Sequence, residues 1–101
     1  MRPHSYHVYI LTNAHHTVLY TGVTNDLRRR MEEHRSGRGG AFTRRYNAHT
    51  LVYAEPFPSI NDAIAREKQI KSWSRRRKVD LVETHNPDWQ DRSNDLAASA
   101  S

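Results

Sequence analysis

Two helical stripes that should be apolar each carry a charge. Leu27, Arg30, Met31 and His34 fall at i, i+3, i+4 and i+7, one face of a helix, so Arg30 and His34 hold inward positions. Ile60, Ala63, Ile64, Glu67 and Ile70 share a second face, with the Glu67 carboxylate aimed where a leucine would ordinarily pack. A carboxylate buried without a partner is costly, so Glu67 should meet a cation, either a metal ion or an arginine. Hydrolysis of a phosphodiester needs a positioned water, a base, cationic charge for the transition state and relief for the leaving oxygen. Arg30 offers planar, permanently charged donors to phosphate oxygens, and Glu67 one ligand for a hard divalent ion completed by water and substrate phosphate. Tyr9 or Tyr20 could take the water proton if nearby positive charge lowers a phenol from its usual pKa of ~10. The plainer alternative is a buried Arg30–Glu67 ion pair, two core tyrosines and a structural His34.

These side chains need elements to position them. Tyr6 to Leu11 and Val18 to Val23 are rich in aromatic and β-branched residues and read as strands, joined by the polar loop Thr12 to Thr17 into an antiparallel hairpin. A symmetric loop sets Leu11 opposite Val18 and Tyr9 opposite Tyr20, both phenols on one face and Ile10 with Leu19 on the other. The second strand closes around Gly22-Val23, and Thr24-Asn25-Asp26 turns into the Arg30 helix, whose free N–H groups and dipole suit Asp26. Ser36-Gly37-Arg38-Gly39-Gly40 stops that helix. Ala41 to Asn47, with Phe42, Arg44, Arg45 and Tyr46, fits either a short helix or a basic loop with aromatic anchors. Thr50 to Glu55 is a third strand, ended by Pro56 and Pro58. Ser59 then caps the Glu67 helix, with Asp62 three residues on. After Trp73-Ser74 and the run Arg75 to Lys78, a further short helix carries Val79, Leu81 and Val82; Trp89 can fold back on the core beyond Pro87. The expected organisation is one domain over residues 1–91 with a single core of two layers, and a flexible tail over 92–101.

Composition narrows the class. Sixteen Lys and Arg against eleven Asp and Glu give a formal charge of +5, which favours polyanion partners without requiring them. Arg28, Arg38, Arg44, Arg45, Lys68, Lys71, Arg75 and Arg76 are the expected nucleic-acid contacts. With no cysteine, disulfides, thiolate metal sites and cysteine nucleophiles are excluded. His4, His7, His15, His16, His49 and His85 show no metal-ligand spacing. Met1 to His7 has no apolar run of signal-peptide length and no stretch approaches a membrane span, so a soluble cytoplasmic protein is expected.

The order His7-Val8-Tyr9, then Tyr20-Thr21-Gly22, then Arg30 eight residues after the glycine and Glu67 on a later helix resembles the GIY-YIG nuclease superfamily. Leu51-Val52-Tyr53, Arg66 to Trp73 and Asn86-Pro87-Asp88-Trp89 extend the resemblance to its small stand-alone bacterial branch of endonucleases, over about Tyr6 to Asp91. The resemblance implies an α+β fold, a three-stranded antiparallel sheet flanked by helices, using one Mg²⁺ or Mn²⁺ to cut a nucleic-acid strand. By position it implies catalytic roles for Tyr9, Tyr20, Arg30, His34, Glu67 and, more loosely, Asn86, with Glu67 the metal ligand. His7 stands where the first motif glycine falls, and Val23 where excision-repair relatives carry a lysine. The implied function is cleavage of DNA, structure- or single-strand-selective, in repair, recombination or processing, by a monomer or homodimer needing no other protein. A non-catalytic nucleic-acid-binding module on the same scaffold is the alternative, disfavoured because binding alone needs no buried carboxylate beside a polyanion. An adaptor using Arg75 to Lys78 against an acidic protein leaves the inward residues unexplained.

Overall fold

The structure, a computed structural model, describes residues 5–93. The elements are β1 (Tyr6–Thr12), β2 (Leu19–Thr24), α1 (Leu27–Arg35), α2 (Ala41–Tyr46), β3 (Thr50–Phe57), α3 (Ile60–Ser72) and α4 (Arg75–His85). The strands form one antiparallel sheet in the order β2-β1-β3, the α+β architecture expected from sequence. The central strand is covered on both faces, so it must be apolar on both: Val8, Tyr9, Ile10 and Leu11 are all buried. Val8 and Ile10 join Val52, Ala63, Ile70 and Val82 beneath α3 and α4. Tyr9 and Leu11 join Leu27, Met31, Ala48 and Leu51 beneath α1. The sheet thus lies between two half-cores, three layers rather than the two expected.

The hairpin register differs from the symmetric one. Leu11 pairs with Tyr20, Tyr9 with Gly22 and Thr12 with Leu19. Asn13 sets this loop: its side-chain oxygen accepts from the Thr17 and Val18 amides at 2.8 and 3.4 Å, and Thr12 Oγ1 donates to the Val18 carbonyl at 2.7 Å. These bonds keep Val18 in the turn and shift the pairing by two residues. An even shift preserves the faces, so Tyr9 and Tyr20 still share one side, now diagonally. It also puts a glycine directly across from Tyr9.

Between Ile10 and Leu11 the β1–β3 pairing slips: Ile10 faces Tyr53, but Leu11 faces Leu51. The extra residue, Val52, lets Leu51 enter the α1 half-core while Tyr53 enters the other, which strict alternation forbids. Strand β3 runs through Pro56, paired with His7, to Phe57 instead of stopping at Glu55. As an edge strand it tolerates a residue without an N–H.

Helix α1 starts where Asp26 accepts from the Arg29 amide, α3 where Ser59 accepts from that of Asp62, and α4 where Ser74 accepts from that of Arg77. The 41–47 segment takes the helical option. Trp89 does fold back, stacking on His16 with centroids 4.5 Å apart. Arg92 and Ser93, assigned to the tail by sequence, are packed: the Arg92 amide donates to the Leu51 carbonyl at 2.7 Å, and Ser93 is buried against Asp91 and Arg35. The rest of that tail, and His4, lie outside the described residues.

Candidate active site

Arg30 is the hub. Its Nε donates to the Tyr9 hydroxyl at 3.3 Å, Nη1 to Glu33 Oε1 at 3.1 Å and Nη2 to the Gly39 carbonyl at 2.7 Å. The bond to Tyr9, joined by that to Glu33, raises the guanidinium pKa against the opposing effect of burial. A guanidinium has five N–H groups, and three are used here. With the side chain 29% exposed, the other two can meet an anion. Arg30 also lines a cleft of about 340 Å³ with Tyr6, Thr24, Asn25, Arg29 and Glu33.

Tyr9 transmits the arrangement inward. Its oxygen accepts from Arg30, which directs its own proton to His34 Nε2, 3.2 Å away. Burial raises the Tyr9 pKa above its ordinary value; the Arg30 hydrogen bond opposes this, and the charges of Tyr20 and Glu67 reinforce it. His34, 1% exposed, is pushed down to about 4, first by burial and then by the charge of Arg30. A neutral imidazole has one donor and one acceptor. Nε2 accepting from Tyr9 leaves Nδ1–H to donate to Thr43 Oγ1 at 2.9 Å, and Thr43 donates to the Gly40 carbonyl at 3.4 Å. One directional chain therefore runs Arg30, Tyr9, His34, Thr43, Gly40.

Two glycines make room for it. A Cβ on Gly22 would lie 2.6 Å from both Tyr9 Cζ and its hydroxyl, so the phenol occupies the space a side chain would take. A Cβ on Gly39 would lie 2.0 Å from His34 Nδ1 and 2.7 Å from the His34 Cα, within the backbone of α1.

Tyr20 is half-buried beside this chain, its ring centroid 6.3 Å from that of Tyr9 and 5.9 Å from that of His34. Its hydroxyl makes no hydrogen bond to another described residue, and its charge acts on both Arg30 and Tyr9. Glu67 comes from α3, which packs on β1 and β2, and is near enough for its charge to oppose ionisation of Tyr9. Its side chain is 17% exposed and pairs with Lys71 Nζ at 3.3 Å. Arg30 and Glu67 are therefore not each other's ion-pair partner; the cation beside Glu67 is a lysine one helical turn on. Among the described residues no three His, Asp or Glu side chains cluster to hold a metal. Glu67 would thus be a single-carboxylate anchor, which suits an ion that keeps its waters and binds substrate phosphate.

Asn86 lies elsewhere. Its buried amide donates to the Val52 and Gln90 carbonyls at 3.1 and 2.9 Å and accepts from the Gln90 amide at 3.0 Å, fastening the 86–90 turn to the β3 bulge. It lines a separate hollow of about 430 Å³ with His7, Tyr53, His85 and Arg92. The basic residues also divide. Arg75 donates to the His16 and Thr17 carbonyls, clasping the hairpin tip, and Arg76 pairs with Asp80 at 3.4 Å. Arg38 reaches Ser36, Arg44 the Gly37 carbonyl, and Arg45 lies over the Tyr46 ring at 5.5 Å. Arg38, Arg44 and Arg45 are exposed, as are Arg28 on α1 and Lys68 and Lys71 on α3. Sequence reasoning missed Thr43 and the packing of Gly39. The glycine-rich break was a signal for the second; nothing local marks the first.

A helix-flanked three-stranded antiparallel sheet is the fold that the resemblance to GIY-YIG nucleases implies, and Tyr9, Tyr20 and Arg30 meet on one side of it. The GIY-YIG catalytic domain family matches residues 5–80, and the chain belongs to that family. It is 38% identical to a UPF0213 protein of Haloquadratum walsbyi over 77% of this chain and 88% of that one. A UPF0213 protein of Bacillus pumilus is 37% identical over 82% and 84%. The solution NMR structure of UPF0213 protein BH0048 from Bacillus halodurans superposes with a TM-score of 0.56 at 36% identity, covering 86% of this chain and 92% of that one. The family is a nuclease family, its members generally use divalent metals, and its domain points to DNA as the bound partner. No helix among the described residues is long and apolar enough to cross a membrane.

Proposed function

We propose that the protein is a divalent-metal-dependent endonuclease that hydrolyses phosphodiester bonds in DNA, selecting single-stranded or branched substrates, and that it serves DNA repair, recombination or processing in the cytoplasm. The supporting observation is the Arg30 guanidinium, fixed by three protein hydrogen bonds, with two N–H groups spare, beside both phenols.

The chain's own groups divide the work. Arg30 binds the scissile phosphate and neutralises charge developing on its oxygens, a role that preorganised donors fill without reorganising during reaction. Tyr9 is spoken for on both sides, buried, and raised in pKa, so it positions Arg30. The free phenol of Tyr20 is the general base: as phenolate it takes a proton from water, whose oxygen attacks phosphorus as the bond to the leaving oxygen breaks. Glu67 would hold Mg²⁺ or Mn²⁺, which when bound supplies Lewis-acid charge at the phosphate and leaving oxygen. Asn86 supports the scaffold, and Arg28, Arg38, Arg44, Arg45, Lys68 and Lys71 track the backbone.

The test is incubation of labelled single-stranded, duplex and flap DNA with Mg²⁺, Mn²⁺ or EDTA, comparing wild type with Arg30→Ala and Glu67→Ala. Metal-dependent cutting lost in both variants, with DNA binding retained, is expected. Binding without cutting on any substrate would replace this reading with that of a non-catalytic nucleic-acid-binding module.

A further inference from the structure

The rings do not end at Tyr9 and Tyr20. Tyr20 stacks on Phe42 with centroids 5.8 Å apart and planes at 29°, and Phe42 meets Tyr46 at 4.8 Å. Tyr9, Tyr20, Phe42 and Tyr46 thus form a row from the buried hydroxyl of Tyr9 out to solvent. Phe42 and Tyr46 are four residues apart on α2, on one face, and are 42% and 41% exposed. Thr43, on the adjoining flank of the same short helix, is buried against His34. One anchor of α2 thus belongs to the Arg30–His34 hydrogen-bond chain, while two large rings beside it are offered to solvent. Nothing in packing demands this, because an apolar pair of that size costs free energy when left in water.

The surroundings identify the occupant. Arg44 and Arg45 lie between the two rings in sequence, Arg45 sits over Tyr46, and Arg38 is on the preceding loop, all exposed. Rings interleaved with guanidinium groups suit a ligand that alternates flat apolar faces with negative charges, which describes a nucleic-acid strand. In a duplex the base faces are covered by their neighbours, and only an unpaired base can offer one.

We infer that Phe42 and Tyr46 form a stacking platform for an unpaired base of the substrate strand next to the phosphate held by Arg30. The inference rests on the nuclease reading for its substrate, and it makes α2 the element that selects single strands and flaps over intact duplex. Phe42 and Tyr46 are binding residues here and take no part in bond breaking.

The test is binding without chemistry. In EDTA at fixed ionic strength, fluorescence anisotropy compares a short oligothymidylate, an oligomer of equal phosphate count made of abasic sites, and a duplex. Wild type should bind the oligothymidylate at least about fivefold more tightly than the abasic strand, since each stacked base typically contributes that much or more. Phe42→Leu combined with Tyr46→Leu keeps apolar bulk on α2 but removes the ring faces. That variant should lose the preference and leave abasic affinity and the unfolding midpoint unchanged. Equal wild-type affinity for thymidylate and abasic strands, or a preference surviving in the double leucine variant, would overturn the platform. An equal loss on both strands would also overturn it, since the rings would then only shape the helix. Cleavage is absent from this readout, so failure of the nuclease reading would appear separately, as stacking preference without cutting when metal is restored.

Discussion

Gly39→Ala tests whether the Arg30 to Gly40 chain acts as a unit. The added methyl would sit 2.0 Å from His34 Nδ1, 2.6 Å from Cγ and 2.7 Å from Cα. A rotating imidazole could relieve the first two contacts but not the third, which is helix backbone. The loop must therefore withdraw, taking with it the Gly39 carbonyl that anchors Arg30 at 2.7 Å. Overpacking of this kind costs about 1–3 kcal/mol, and losing a hydrogen bond to a charged group adds about 1.5–3 kcal/mol. A stability loss of about 2–4 kcal/mol is expected, because the retreating loop relieves part of the clash. A displacement of about 1 Å in a positioning group can cost ~10²-fold in rate. Gly37→Ala is the control: its Cβ would meet only Arg44 Cδ at 4.0 Å, but the residue has φ +83°. It should lose about 1 kcal/mol from left-handed strain alone and cut at near the wild-type rate. The measurements are urea unfolding midpoints and single-turnover cleavage below each variant's unfolding transition. Wild-type cleavage by folded Gly39→Ala, or a rate lower in Gly37→Ala than in Gly39→Ala, would refute the reasoning.

Tyr20→Phe should leave the unfolding midpoint within about 0.5 kcal/mol of wild type and lower cleavage ~10²-fold or more, since its hydroxyl has no described protein partner to lose. Tyr9→Phe should instead destabilise by about 1–3 kcal/mol, because Arg30 Nε and His34 Nε2 both lose a buried partner. The reverse pattern would exchange the two roles. Lys71→Gln removes the ammonium 3.3 Å from Glu67, so half-maximal cleavage should need less Mg²⁺; an unchanged metal titration would show that Glu67 is not the ligand. Stability should fall with acidity between pH 6.5 and about 4, because His34 is neutral when folded but binds a proton when unfolded in that window. The loss amounts to at most about 3 kcal/mol and is complete below the folded pKa. His34→Gln should flatten the slope without abolishing it, since burial also lowers the His7 pKa. An equal slope in wild type and His34→Gln, by urea titration across this range, would show that His34 is not buried neutral.

The charged intruders were legible because a helix repeats every 3.6 residues. Arg30 and Glu67 announce themselves on largely apolar stripes, and the strand alternation that puts Tyr9 and Tyr20 on one face survives any even error in register. The register itself was not legible, because it depends on Asn13 folding its amide over the loop, a choice made by hydrogen bonds and not by hydrophobic pattern. Pro56 was misread as a stop because sequence does not say which strand lies at an edge. The second half-core was hidden for a related reason: only once β1 is known to be central does its unbroken apolar run demand cover on both sides. Thr43 has no local signature, since its purpose lies in a histidine nine residues away. Arg75 shows the opposite failure, a basic residue in a basic run that is spent on two loop carbonyls.

The neutral state of His34 follows from the requirements of Arg30. On the proposed role, a guanidinium that is to meet a phosphate in a fixed pose needs acceptors on its other N–H groups, and Tyr9 is an acceptor whose own proton must then go somewhere. In a buried setting that proton requires an acceptor of its own, and neutral Nε2 is the one supplied. Were His34 protonated, Nε2–H would face the Tyr9 oxygen along with Arg30 Nε–H, and the phenolic hydrogen would be left without a partner. Burial and the nearby guanidinium prevent this by holding the imidazole to about 4, while Thr43 fixes the tautomer from behind. Positive charge in the chain is thereby confined to Arg30, at the end that is open to the cleft. A second cation at His34 would add attraction for DNA but break the bond that aims the first, so the site gives up raw charge for position.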